Sequence, residues 1–360
     1  MDKKKTSFSK LVQIIIQSGV PAIFWGDAGI GKTAQTEECI QALGLPYEIV
    51  LGSTRESTDF NGLPLRTPDG MKFEPPAWAI RMAKEGKGVV VFDDITQTPP
   101  GTSPAIMRVV NESWVGDLKL PDSVSFICIA NPVNEKNGGY ELIAPLANRM
   151  CHLDVEFDLD EWCSYINRKV ARKSGNEASS EISVVRLPEG WEDYIEEMEM
   201  LVASFLKVMP NLAHNMPKDS VEAGRAWPSI RTWSKAARLM AACKSIGESM
   251  SSLELIFIQG CVGVAAATQF NNWRQTLSLP DPELLLKDPS KFVFPEEEDK
   301  QYAVLNSIVF TAIKGLDKME KKQRDARWTA AWQLLGLACK KAPDLTLEPA
   351  TTLAGVRKNN

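Results

Sequence analysis

Up to about residue 157 the chain alternates between short apolar runs and stretches in which apolar residues recur every three or four positions; beyond that point only the second rhythm continues. The runs at 20–25, 47–51, 88–92, 124–130 and 151–155 read as strands, and 88–92 and 124–130 are apolar enough to be buried on both faces. Helical spacing marks 7–17 through Leu11, Ile14 and Ile15, with Ser7 as its cap and Gly19-Val20-Pro21 as its stop. It returns at 34–43, closed by Gly44, at 78–86, at 104–112 through Ile106, Val109 and Val110, and at 142–148. Strands that alternate with helices predict an α/β fold.

Two stretches interrupt this order. Residues 53–76 are dense in Gly, Pro, Asp and Thr, and within them 63–66 and 71–74 flank Thr67-Pro68-Asp69-Gly70, which predicts a projecting hairpin. A second hairpin is expected at 114–120. After residue 158 the pattern predicts helices at 160–172 and 191–209, separated by a Ser/Gly/Glu-rich loop at 173–185. A third helix opens at Pro228-Ser229 and runs to about 243, because Pro and Ser suit a helix start. Residues 253–268 read as one apolar helix, 279–298 as an extended connector, and 302–312 with 324–339 as a terminal helical pair, with Asp317/Lys321 and Glu320/Arg324 as i,i+4 pairs on a solvated face.

Composition narrows the function classes. The 360 residues are 44% hydrophobic and 24% charged, ordinary for a globular chain long enough to bury a large core. A net charge of −5 gives no global basic field for nucleic acid, and Lys3-Lys4-Lys5 reads as a solvated tail. No apolar run approaches a membrane span and the start is unlike a signal peptide, so the expected location is the cytoplasm. Seven cysteines without C-x-x-C spacing read as small buried hydrophobes of a reducing compartment. With only His152 and His214, a histidine-based metal site or dyad is not expected.

The candidate chemistry begins at Gly26-Asp27-Ala28-Gly29-Ile30-Gly31-Lys32-Thr33, which matches G-x-x-x-x-G-K-[ST] between a strand and a helix. Its glycines let backbone N–H groups converge on a phosphate at a helix N-terminus. Lys32 is placed to reach the β- and γ-phosphates of a nucleoside triphosphate, and the Thr33 hydroxyl to ligate Mg²⁺. The strand at 88–92 ends in Asp93-Asp94, at the sheet edge where ligands bind. There Asp93 would complete the Mg²⁺ shell and Asp94 would orient or deprotonate the attacking water. Asn131, at the end of the next strand, is placed to hydrogen-bond that water or the γ-phosphate, and Arg149 stands at a corner from which it reaches a neighbouring subunit's nucleotide.

This ordered set, with Arg231, resembles the AAA+ ATPases, and within them the MoxR branch. The segments that carry the resemblance are Asp59-Phe60-Asn61-Gly62, Pro75-Pro76-Ala77-Trp78, Phe92-Asp93-Asp94-Ile95, Ala130-Asn131-Pro132 and Pro145-Leu146-Ala147-Asn148-Arg149-Met150. The resemblance covers residues 20–155 and the helix around Arg231. It implies a core of five parallel strands at 1–157, an α-helical lid at 158–290, a C-terminal helical extension at 291–360, and a homo-oligomeric ring of six with ATP at each interface. It also implies that Arg149 acts across the interface, that Arg231 is sensor 2, and that the hairpins face the substrate side. Relatives place Glu where this chain has Asp94, a carboxylate shorter by one methylene, so turnover is expected to be slow. Three functions follow from the family. One is ATP-driven remodelling or maturation of a protein client, often through a von Willebrand factor A protein. Another is an ATP-dependent switch or scaffold in a defence or signalling assembly. The last is a nucleic-acid motor or loader, against which the acidic balance speaks, with Lys72, Lys119 and Lys136 as candidate channel residues.

Overall fold

A computed structural model of the chain describes residues 7–133, 138–173, 182–277, 280–314, 316 and 319–357. Lys3-Lys4-Lys5, Lys136, Asp317 and most of the 173–185 stretch lie outside these residues. The first part runs α1 (Phe8–Ser18), β1 (Ala22–Trp25), α2 (Lys32–Ala42), β2 (Tyr47–Leu51), α3 (Thr58–Asn61), β3 (Leu63–Thr67) and β4 (Gly70–Glu74). It continues through α4 (Ala77–Glu85), β5 (Gly88–Asp93), α5 (Ser103–Glu112), β6 (Trp114–Val115), β7 (Leu118–Lys119), β8 (Val124–Ala130), α6 (Ala144–Ala147) and β9 (Cys151–Asp154).

The expected α/β core is present. Five strands form one all-parallel sheet in the order β2-β5-β8-β1-β9, while β3–β4 and β6–β7 are separate hairpins. Strand periodicity of two divides the core. Ala22, Phe24, Val89, Val91, Ile127 and Ile129 face one apolar cluster, and Ile23, Trp25, Val90, Phe92, Phe126 and Cys128 face the other. The register sets Trp25 level with Ala130 and with Asp154, so β1, β8 and β9 end side by side. On the other flank Leu51 is level with Asp93.

The rest is helical: α7 (Leu159–Lys173), α8 (Ile195–Val208), α9 (Ser220–Ala223), α10 (Ile230–Ser245), α11 (Ser252–Val262), α12 (Val264–Thr276), α13 (Pro282–Lys287), α14 (Glu298–Ile313), α15 (Lys321–Cys339) and α16 (Pro343–Arg357). Residues of α8, α10, α11 and α12 share the first cluster with α1 and the sheet, whereas α13–α16 build a third around Leu305, Ile308, Val309, Leu334 and Leu335.

Several expectations change. The single helix expected over 253–268 is broken at Gly263, whose φ of +82° leaves the helical region and whose added Cβ would lie 2.9 Å from the Ala226 carbonyl oxygen. The connector at 279–298 contains α13: its Asp and Pro are a helix start, with Asp281 accepting from the Glu283 N–H at 2.9 Å and Pro282 in the first turn. The terminal pair gains α16, which begins and continues through prolines that break the periodic signal. Ser7 stands at the N-cap of α1 as expected, but its hydroxyl makes no cap bond and donates instead to Glu161 Oε1 at 2.8 Å. Five cysteines are buried as expected, but Cys163 and Cys339 are exposed. Among the described residues no helix is long and apolar enough to cross a membrane.

Candidate functional site: a phosphate loop facing two strand-end carboxylates

The loop between β1 and α2 has the backbone that its glycines predict. Gly29 and Gly31 stand at φ +82° and +87°. A Cβ on Gly26 would lie 2.6 Å from the Val155 carbonyl oxygen, so the loop base needs a residue without one. The Gly26 N–H donates to the Ala130 carbonyl, and the next bond in chain order is that of the Gln35 N–H to Gly31. The N–H groups of residues 27–34 therefore have no backbone acceptor among the described residues, and they gather at a helix N-terminus, where an anion is favoured. That row of unpaired donors fits a polyphosphate.

Strand order brings the other predicted residues to the same edge. Lys32 is buried and donates to the Gly26 carbonyl at 2.7 Å, the Asp27 carbonyl at 2.8 Å and Asn131 Oδ1 at 3.0 Å. Asn131 Nδ2 donates to Asp94 Oδ1 at 3.1 Å, so this amide bridges the loop lysine and the acidic pair, and its orientation follows from having a donor on one side and an acceptor on the other. The Thr33 hydroxyl donates to Asp93 Oδ2 at 2.9 Å. Burial lowers the proton affinity of Lys32, opposed by Asp93, Asp94 and Asp27. Burial likewise raises Asp93, against the hydrogen bond from Thr33. Hydroxyl and carboxylate oxygens this close are the donor type that Mg²⁺ prefers. Asp94 sits in the left-handed region at φ 53°, uncommon for a residue with a side chain and of the kind stored at functional sites.

Arg149 and Arg231 form a second group. Arg149 follows α6 and donates to the Pro145 carbonyl at 2.5 Å, while its Nε is buried without a partner among the described residues. Arg231, in the first turn of α10, donates to Asn148 Oδ1 at 3.3 Å. Burial, and after it the neighbouring Arg231, lower the proton affinity of Arg149. Both guanidinium groups donate to a carbonyl or amide oxygen and, among the described residues, to no carboxylate, an arrangement that suits an anion. Among the described residues no hydrogen bond or ion pair joins this group to the loop group.

The structure adds residues that carry no functional reading in the sequence analysis. Asn148 Oδ1 also accepts from the Ser229 hydroxyl at 2.8 Å, and Ser229 with Thr232 makes a capping box that fixes the start of α10. Gly52 lets β2 approach: a Cβ there would lie 3.0 Å from the carbonyl oxygens of both Asp93 and Asp94. Gly52 stands between the strand at 47–51 and the turn-rich stretch at 53–76, and only strand pairing shows what it faces. A cavity of about 780 Å³, lined by Phe8, Val155, Asp158, Ile256 and Gln259 among others, opens beside the loop, with Val155 touching its base.

No family model matches the chain, and no curated protein matches it. Among solved structures, one described as a "putative ATPase" from Cytophaga hutchinsonii is similar over 67% of this chain and 74% of its own, with 16% identity and a TM-score of 0.40.

Proposed function

We propose that the chain is an ATP-hydrolysing AAA+ protein of the MoxR type that acts in a homo-oligomeric ring to remodel or mature a protein client. The observation that carries the ATPase reading is the convergence of Lys32, Thr33, Asp93, Asp94 and Asn131 over a loop of unpaired N–H groups. In this reading the loop amides and Lys32 hold the phosphates, and the base occupies the cavity beside Phe8 and Ile256. Thr33 and Asp93 would hold Mg²⁺, which when bound offsets charge on the transferred phosphoryl group. Asp94, oriented by Asn131, accepts the proton of the attacking water. Arg149 reaches the γ-phosphate of a neighbouring copy, a reading supported by the absence, among the described residues, of any hydrogen bond or ion pair between it and the chain's own loop group, and Arg231 acts as sensor 2, reporting the nucleotide state to the lid. Residues 1–157 form the nucleotide-binding core, 158–290 the lid, and 291–360 an extension. The client-facing element is the β3–β4 hairpin, which exposes Leu63, Leu65, Met71 and Phe73 to solvent.

The test is a set of variants in the full chain. Asp94→Asn is expected to keep ATP affinity and lower kcat by about 100-fold or more, the range for losing a general base. ATP hydrolysis at the normal rate by that variant would remove Asp94 from its role. Lys32→Ala is expected to abolish nucleotide binding, and Arg149→Ala to bind but not hydrolyse. Mixing the two is expected to restore part of the activity, since each supplies the half that the other lacks; mixtures no more active than their parts would remove the ring reading. A wild-type chain that binds no ATP would overturn the proposal.

A further inference from the structure

The site described above does not use His152. It lies on β9, buried, between two groups 127 and 5 residues away in the chain. The indole N–H of Trp25 donates to His152 Nδ1 at 3.0 Å, and His152 Nε2 lies 2.9 Å from the Ala147 carbonyl oxygen. A carbonyl only accepts, and Nδ1 is already an acceptor, so the ring is the neutral tautomer with its proton on Nε2. Trp25 is the residue immediately before Gly26, the base of the phosphate loop. Ala147 is the last residue of α6, a helix of a single turn, and the next two residues are Asn148 and Arg149.

We propose that His152 is a positioning residue: its imidazole holds the one-turn helix that presents Asn148 and Arg149 in fixed relation to the strand that carries the phosphate loop. The proposal rests on the ATPase reading for its consequence, and on the hydrogen bonds alone for its geometry. A four-residue helix has too few internal hydrogen bonds to set its own direction. Its end is pinned at two points instead. On one side the Ala147 carbonyl is held by His152. On the other the Asn148 side chain accepts from Ser229 and Arg231 and donates to the Trp227 carbonyl. The anchor at Trp25 is itself fixed: the Arg225 guanidinium lies 4.5 Å from the centre of its ring and pairs with Asp154 at 2.6 Å, on the same strand as His152. Two hydrogen bonds through His152 thus link Trp25, the residue before the phosphate loop, to Ala147, two residues before Arg149.

The experiment uses the full chain and three substitutions. His152→Phe keeps a ring in the core and deletes both hydrogen bonds. His152→Gln supplies one acceptor and one donor side by side, without titrating. Trp25→Phe removes only the donor at Nδ1. Each variant is measured for affinity toward a fluorescent ATP analogue, for steady-state ATPase, and for amide hydrogen exchange of the segment 144–149. Expected for His152→Phe are affinity within about 3-fold of wild type, a kcat lower by about 10-fold, and faster exchange in 144–149, with most of the loss recovered in His152→Gln. Equal losses in the Phe and Gln variants, affinity that falls in step with kcat, or unchanged exchange in 144–149 would overturn the proposal and leave His152 as core packing. If His152→Phe does not fold, Trp25→Phe and His152→Gln decide between the same outcomes. Should the wild-type chain lack ATPase altogether, the function reading fails by itself, and hydrogen exchange still decides whether His152 holds the helix.

Discussion

At the scale of single residues, the site is governed by what burial does to polar groups. His152 is the clearest case, since burial pushes its imidazole down to about 4, against an ordinary value of 6.5. In that interval the unfolded chain binds a proton that the folded chain refuses, so stability falls as the pH is lowered through it. Between about pH 7 and about pH 5 this one group removes about 2 kcal/mol of unfolding free energy. Urea titrations at the two pH values should show that component in the wild type and not in His152→Gln. A wild-type profile no steeper than that of the glutamine variant would mean that the imidazole is not buried neutral. Lys32 obeys the same physics with the opposite compensation, because Asp93, Asp94 and Asp27 surround it and Asn131 accepts from it. Its sequence neighbourhood holds the lysine and Asp27, whereas Asp93 and Asp94 come from the end of β5, about 60 residues later.

At the scale of elements, the break at Gly263 shows how one glycine redirects a helix. Glu254 on α11 and Arg274 on α12 pair at 2.8 Å, both largely buried. In an unbroken helix twenty residues would separate them by about 30 Å. The turn at Gly263 folds α12 back and brings the two charges together, where burial raises Glu254 and Arg274 opposes it. Gly263→Ala is expected to lower stability by about 1–3 kcal/mol, from a side chain at positive φ and contact with the Ala226 carbonyl. Chemical denaturation measures this directly, and an unchanged midpoint would show that the junction relaxes at no cost. Apolar periodicity carries across this position without a gap, which is why 253–268 reads as one helix: the pattern records which residues are buried, not the backbone angle at a glycine that packs against a distant carbonyl.

At the scale of the whole molecule, the three apolar clusters describe how the chain is joined. The first spans one face of the sheet and the helices α8, α10, α11 and α12, so the helical region beyond residue 180 and the sheet share a core. The third belongs to α13–α16, and α14 packs on both α8 and α16. At that seam the Tyr302 hydroxyl donates to Glu348 at 2.8 Å, and the Lys207 ammonium lies 5.5 Å from the centre of the Tyr302 ring. A chain ending at residue 280 is therefore expected to uncover the face of α8 that α14 covers. It should bind a hydrophobic dye more strongly than the full chain and melt several degrees lower, as loss of a packed face costs more than a few kcal/mol in a domain of marginal stability. Equal melting temperatures would mark the last helices as an independent appendage.

The sequence by itself determined the contiguous features: the glycine-lysine-threonine loop, the acidic pair at a strand end, the alternation that makes an α/β core, and the hairpin at residues 63–74. Each depends on residues close together in the chain, where periodicity and turn chemistry act directly. Tertiary structure alone decided the strand order that sets Asn131 between Lys32 and Asp94. It also decided the company of Arg149 and Arg231, the close approach at Gly52, and the imidazole joining Trp25 to Ala147. These are meetings of residues from 37 to more than 100 positions apart, and local pattern holds no record of such meetings because any of several strand orders would satisfy the same apolar rhythm.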